Sequence, residues 1–154
     1  MNTNQLKRFA QEARIKLLKQ VEAKLSFVLT ADTPELREKT EQVKQLKDEL
    51  NKTTKAQLIE KVAYTWFNRL MALRFMDAND YQPLGIRIIT PKDGYVTPEL
   101  LDEAKRGNIP DELKIDRKRV YDILDGKILS SNPQNEAYKF LLIGTCNYLS
   151  SIFP

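Results

Sequence analysis

The 154-residue chain reads as a mainly α protein, a multi-helix bundle of about six helices with one small β-hairpin. Three observations carry that expectation. Only five glycines accompany abundant Leu, Lys, Glu and Ala, a composition that favours helix. Residues 54–79 (TKAQLIEKVAYTWFNRLMALRFMDAN) place Leu58, Val62, Trp66, Leu70 and Leu73 at three- and four-residue steps, the period of one helix face. A capping residue followed by proline, the signature of a helix start, recurs at Thr33-Pro34, Thr97-Pro98 and Asn132-Pro133.

Residues 1–53 read as a helical hairpin. Its first arm runs from about Asn4 to Leu29, with Thr3 as cap. Leu6, Phe9, Ala10, Ala13, Leu17, Val21, Leu25 and Val28 form its apolar stripe. After a break at Thr30-Ala31-Asp32, Thr33 caps a second helix that Pro34 and Glu35 open and that runs to about Asn51. Its apolar positions are sparse. Leu36, Val43 and Leu50 repeat every seven residues, but two heptads are too few for a coiled coil, so this arm is an exposed bundle helix or a partner-binding one.

Residues 54–79 are the central, buried helix. Thr54 and Gln57 fit a capping box, and Asn79 fits a left-handed end. Tyr64, Phe67, Met71 and Phe75 carry apolar character around the remaining faces, a pattern expected of a helix enclosed by other elements. Arg69 falls on the apolar face beside Val62, Leu73 and Met76. A buried guanidinium requires a carboxylate or several carbonyls, so Arg69 is expected to make an internal ion pair that sets how the helix docks; an arginine lining a cleft is the functional alternative.

Residues 80–97 read as a loop and a β-hairpin. Ile86 to Thr90 is β-branched-rich and bounded by Gly85 and Pro91, Pro91 to Gly94 is a turn, and Tyr95-Val96 is a short return strand. Residues 98–154 form the helical remainder. One helix runs from Thr97-Pro98-Glu99 to Ala104 or Lys105, with Gly107 after its end. Asp116 caps a short helix that stops at Gly126, and Arg117-Lys118-Arg119 reads as its solvated start. The last helix runs from Pro133 to about Ser150, with Phe140, Leu141, Ile143, Leu149 and Ile152 as core.

Length and composition bound the function. The chain is long enough for one domain that buries about 70% of its unfolded surface. Its single cysteine, Cys146, excludes an internal disulfide. Without histidine there is no zinc-type site, no Ser-His or Cys-His nucleophile pair and no proton shuttle near neutral pH. No apolar run approaches the ~20 residues of a membrane span, and no compact signal-peptide core opens the chain, so a cytoplasmic location without membrane contact is expected. The net charge of +4 is uneven: residues 1–29 hold six basic and two acidic side chains. Such an excess favours anionic partners, DNA phosphates included, and Lys7, Arg8, Arg14 and Lys16 are the candidate backbone contacts. They scatter around the helix, and a solvated face is the plainer reading.

Four segments carry a resemblance. They are Asn2 to Arg14 (NTNQLKRFAQEAR), Val62 to Ile88 (VAYTWFNRLMALRFMDANDYQPLGIRI), Gly107 to Ile128 (GNIPDELKIDRKRVYDILDGKI) and Asn132 to Leu149 (NPQNEAYKFLLIGTCNYL). In this order they resemble the N-terminal region of PglX-type adenine-specific DNA methyltransferases of bacterial BREX phage-defence systems. The resemblance implies a parent enzyme that transfers a methyl group from S-adenosylmethionine to adenine N6 in duplex DNA. It transfers no catalytic, cofactor or metal residue to this chain. Asn132-Pro133-Gln134-Asn135 shares only the first two residues of the family's Asn/Asp-Pro-Pro-aromatic motif, and reads as a helix cap. Leu142 to Thr145 has one glycine and sits in a helical pattern, not in a cofactor loop.

The apolar end, Leu149 to Pro154, is the kind expected of a chain cut on entry to a further element. Two roles follow for such a piece. It packs on the catalytic domain of the same protein and helps shape a DNA cleft, or it docks other phage-defence proteins without touching DNA.

Overall fold

A computed structural model describes residues 2–153. The protein is mainly helical, with seven helices among the described residues: α1 (Thr3–Thr30), α2 (Pro34–Glu38), α3 (Thr40–Lys52), α4 (Lys55–Ala78), α5 (Glu99–Lys105), α6 (Arg117–Leu124) and α7 (Pro133–Ile152). None of them is long and apolar enough to cross a membrane. The chain divides into two compact units, residues 1–68 and 69–154, and the division falls inside α4.

In the first unit α1 extends for about 42 Å at 1.5 Å per residue. Its cap is Asn2, not Thr3: the Asn2 carboxamide oxygen accepts from the Asn4 and Gln5 amides at 3.1 and 3.4 Å. The apolar stripe is covered unevenly. Leu25 is buried, Leu17, Val21 and Val28 are half-buried, and Leu6 and Phe9 are exposed. The expected second helix is two. Thr33 caps α2 through the Leu36 amide at 3.2 Å, but the Thr40 hydroxyl donates to the Arg37 carbonyl at 2.7 Å and the Lys39 amide reaches Leu36. These local bonds break the helix at Lys39, which takes φ −109° and ψ 34°. The heptad spacing is interrupted with it, because Leu36 belongs to α2 while Val43 and Leu50 belong to α3.

The capping box of α4 forms as the spacing predicts. Thr54 Oγ1 accepts from the Gln57 amide at 3.2 Å, and Gln57 Oε1 accepts from the Thr54 amide at 3.4 Å. The helix ends differently. The left-handed residue is Asp80 (φ 55°), and Asn79 instead donates its side-chain amide to the Phe75 carbonyl at 2.8 Å. The Tyr81 amide reaches back to the Met76 carbonyl and the Asp80 amide to Asp77, a Schellman motif with Tyr81 laid against Phe75 at 6.1 Å between ring centroids. Enclosure on all sides is not observed. Leu58, Ile59, Ala63, Leu73 and Asp77 are buried, whereas Tyr64, Met71 and Phe75 are exposed. The helix buries a stripe, and its other aromatic faces remain open.

The second unit has no β-hairpin; its described residues contain one isolated bridge, Pro91 with Pro98, and no strand. The backbone groups that would have built the ladder are spent elsewhere. The amides of Ile88, Ile89 and Thr90 donate to the Asp77 carboxylate at 2.9, 2.9 and 3.0 Å, and the Arg87 amide donates to Glu99 Oε2 at 3.1 Å. The Thr90 and Arg87 carbonyls accept from the Glu99 and Leu100 amides, and the Ile88 carbonyl accepts from the Tyr138 hydroxyl at 2.8 Å. Residues 86–91 are therefore a strap, bonded to three helices and to no neighbouring strand.

The strap also replaces the expected cap of α5. Pro98 has no side-chain acceptor, so the orphan amides of Glu99 and Leu100 go to strap carbonyls. Thr97 turns its hydroxyl to the Asp102 carboxylate. The ends of α5 and α6 match expectation: Gly107 and Gly126 take positive φ and close Schellman motifs through Asn108 and Lys127. Asp116 and Asn132 cap α6 and α7 through the Arg119 and Asn135 amides.

The core of this unit joins Leu73, Ile88, Leu100, Leu113, Val120, Ile123 and Leu141, all at most 2% exposed. Each such side chain contributes about 1.5–3 kcal/mol on burial. Leu141 and Leu149 are core as predicted, while Ile143 and Ile152 are 40% and 42% exposed. Gly144 lies inside α7, where a Cβ would stand within 2.4 Å of Ile115 Cγ2; its missing side chain lets the connector before α6 pack against α7.

Candidate functional site

The candidate surface combines the basic side chains of α1 with a groove in the first unit that one of them, Arg14, borders. On a helix of 3.6 residues per turn, positions seven apart lie within about 20° of each other. Lys7 and Arg14 therefore share a side with Gln11 and Leu18, while Arg8 and Lys16 point elsewhere. All four basic residues are exposed. Arg8 is paired with Glu12 at 3.0 Å and Arg14 with Glu60 of α4 at 3.7 Å. Among the described residues Lys7 and Lys16 have no acidic partner, so theirs are the two uncompensated charges of the set.

Arg14 and Glu60 border a groove of about 690 Å³ between α1 and the first half of α4, floored by Ala10, Leu18, Ala63 and Phe67 with Tyr64 at its edge. Surface ion pairs of this kind contribute at most about 1 kcal/mol. The groove is open and largely apolar, with a charged rim. Its rim carries Arg14, Glu60 and Lys61.

Arg69 lies in the second unit, half-buried, lining a cavity of about 300 Å³ with Ala72, Leu73, Met76, Cys146 and Leu149. Burial pushes the Cys146 thiol above its ordinary range, and the nearby Arg69 charge only partly opposes that shift. A raised thiol pKa and 5% exposure make Cys146 a packing residue, not a reactive one. Alkylation of the native chain by iodoacetamide should run at least about a hundredfold slower than in denaturant, and should track opening of the fold. Rapid native labelling would contradict that burial.

The basic triplet at the start of α6 is not simply solvated. The Arg117 guanidinium donates to the carbonyls of Ile109, Pro110 and Leu113 at 3.0, 2.7 and 3.1 Å. It thereby satisfies the acceptors of a connector that Pro110 keeps out of regular structure. Lys118 pairs with Asp122, and the Arg119 guanidinium lies over the Phe140 ring at 5.4 Å.

Two polar residues of the second unit escaped the sequence reading, Asp77 and Gln82, which are 1% and 9% exposed. Each Asp77 oxygen accepts twice: Oδ1 from the Ile88 amide and Gln82 Nε2 (2.7 Å), Oδ2 from the Ile89 and Thr90 amides. A carboxylate offers about four acceptor sites, so this one is fully used. The available signal was its register. Asp77 is four residues beyond Leu73 and therefore on the buried side of α4, where an acid requires donors. Burial pushes the nearby Tyr138 phenol upward, and the Asp77 charge adds to that effect.

These features describe a mainly helical piece of protein. The chain is 35% identical over 99 residues to the adenine-specific methyltransferase PglX of Lacticaseibacillus casei (strain Zhang), a match covering 63% of this chain and 8% of that protein. It is 33% identical over 97 residues to the adenine-specific methyltransferase BrxX of Escherichia coli O9:H4 (strain HS), with the same coverage of each. It is thus related to PglX-type adenine-specific methyltransferases, and the match spans about a twelfth of their length. No family model matches the chain, and no solved structure matches it.

Proposed function

We infer that this chain is a non-catalytic helical part of a longer adenine-N6 DNA methyltransferase that uses S-adenosylmethionine and acts in the cytoplasm in BREX-type phage defence. There it packs on the catalytic domain of the same protein and helps form the DNA cleft. The single supporting observation is the likeness to two adenine-specific methyltransferases of which the match occupies only 8%. S-adenosylmethionine would be held outside this piece. The one glycine of residues 142–145 lies in the interior of α7 against Ile115, where no phosphate- or cofactor-cradling turn exists.

Duplex DNA would meet this piece through an unpaired cation. In the full-length enzyme, Lys7→Glu should weaken duplex binding severalfold near 50 mM salt, whereas Lys16→Glu, on the opposite side of α1, should not. The slope of log affinity against log salt should flatten by about one in the Lys7 variant, for one phosphate contact. Thermal unfolding should be unaltered, because neither side chain is packed. An unchanged affinity and slope would remove the DNA contact from this reading. Loss of binding to another phage-defence protein in the same variant would favour the docking role instead.

A further inference from the structure

Around the helix break at Lys39 the first unit contains a groove of about 450 Å³, bounded by the end of α1, by α2 and by the first turns of α3. Val28, Leu29, Leu36 and Val43 line it with aliphatic carbon, and each of them is only half-buried. A matching apolar surface laid there would complete their burial. The rim carries charge. On one side Arg37 donates Nε and Nη2 to the two Asp32 oxygens at 2.7 and 2.9 Å, and that pair is neutral in itself. On the other side Lys44 and Lys47 are exposed, and among the described residues neither has an acidic side chain within ion-pair distance. At 3.6 residues per turn Thr40, Lys44 and Lys47 fall within about 60° of one another on α3, on the edge that Val43 borders. Glu41 and Asp48 lie about 80° round the helix from the two lysines, on the side away from Val43. The surroundings do not reverse the sign, since residues 1–68 carry 13 basic and nine acidic side chains.

The floor and the rim make different demands on an occupant. A nucleic-acid backbone would satisfy the lysines, but its phosphates offer no carbon surface to Val28, Leu36 and Val43. A second copy of this chain would bring another net-positive unit against the same two lysines. A helix with an apolar stripe and acidic flanks meets both demands, because its stripe covers the floor while its carboxylates reach the rim. We propose that this groove docks an acidic amphipathic helix of a partner protein, with aliphatic side chains set on Leu36 and Val43 and carboxylates set against Lys44 and Lys47. The groove and its lysines are separate from Lys7, so this docking does not rest on a DNA contact elsewhere in the chain.

The test uses the 154-residue chain and follows the backbone amides of Leu36, Val43, Lys44 and Lys47 by nitrogen–proton NMR. The probe is a synthetic helical peptide with Leu at i, i+3, i+4 and i+7 and Glu at the flanking positions. It should shift these amides saturably, and its affinity should fall as salt rises. An analogue with Lys in place of every Glu should not bind, and neither should an isomer of the same composition whose Leu residues are spread round the helix. Lys44→Glu with Lys47→Glu should weaken the acidic peptide about tenfold with little change in Tm, since both side chains are exposed. Equal binding of the Lys analogue or of the dispersed isomer would overturn the proposal. So would undiminished binding by the double variant, or no saturable response to the acidic peptide. Shifts of the same amides by a short DNA duplex but not by the peptide would assign the groove to nucleic acid, and shifts that follow chain concentration alone would assign it to a second copy; either result overturns the proposal. Should the double variant fail to fold, the comparison of the three peptides on the parent chain still decides the matter.

Discussion

Asp77→Ala should destabilise the second unit by about 3–5 kcal/mol, the largest effect of any single substitution outside the apolar core. The carboxylate is 1% exposed and is the acceptor for three consecutive backbone amides and the Gln82 amide. Alanine deletes the acceptors and leaves four donors without their partner, two of them buried and two part-buried. Three of them are main-chain groups that cannot rotate away. Denaturant titration should show a lower midpoint with an unchanged m-value. Hydrogen exchange should show the Ile88, Ile89 and Thr90 amides losing protection before those of α7. Asp77→Asn should fall between the two, since its amide nitrogen meets donors where the carboxylate presented an oxygen. Wild-type stability in the alanine variant would mean that the strap holds through its apolar contacts alone.

Gly144→Ala should cost about 1–3 kcal/mol. On an exposed helix the same change is favourable, since alanine is the better helix former by about 1 kcal/mol. Here the new methyl would meet Ile115 Cγ2 at 2.4 Å, inside any tolerable contact, and a β-branched side chain has little freedom to retreat. Ile115→Ala removes the clashing carbon and opens a small void. The two substitutions together should therefore be less harmful than the sum of each alone, and a double-mutant cycle on unfolding free energies measures the coupling. Strict additivity would show that α7 shifts as a whole to relieve the clash.

The helices were legible where their signals are local. Thr33, Thr54, Asp116 and Asn132 cap as their spacing predicts, and Gly107 and Gly126 end helices by conformational preference that needs no tertiary partner. The break at Lys39 depends on a hydroxyl bond from Thr40 that competes evenly with helix continuation, so composition alone does not reveal it. The strap misled for a deeper reason. Ile86 to Thr90 has strand composition, but its amides are claimed by a carboxylate eleven to thirteen residues away, a long-range choice that local propensity does not encode. The candidate surface was readable as a charge excess. Which of its cations are already neutralised was not, because Glu60 approaches Arg14 only once α1 and α4 are packed. Arg117 was obscured in the same way: three consecutive basic residues look alike in sequence, and one of them faces three carbonyls.

The binding of the strap to Asp77 has a bearing on solubility. Ile-Arg-Ile-Ile-Thr is an apolar, β-branched run of the sort that recruits further copies of a chain through its unpaired main-chain donors. At residues 88–90 those donors are already occupied, and Ile88 itself is fully enclosed. One buried acid thus works as a gatekeeper against intermolecular strand growth, guarding from within a segment that carries only one charge of its own.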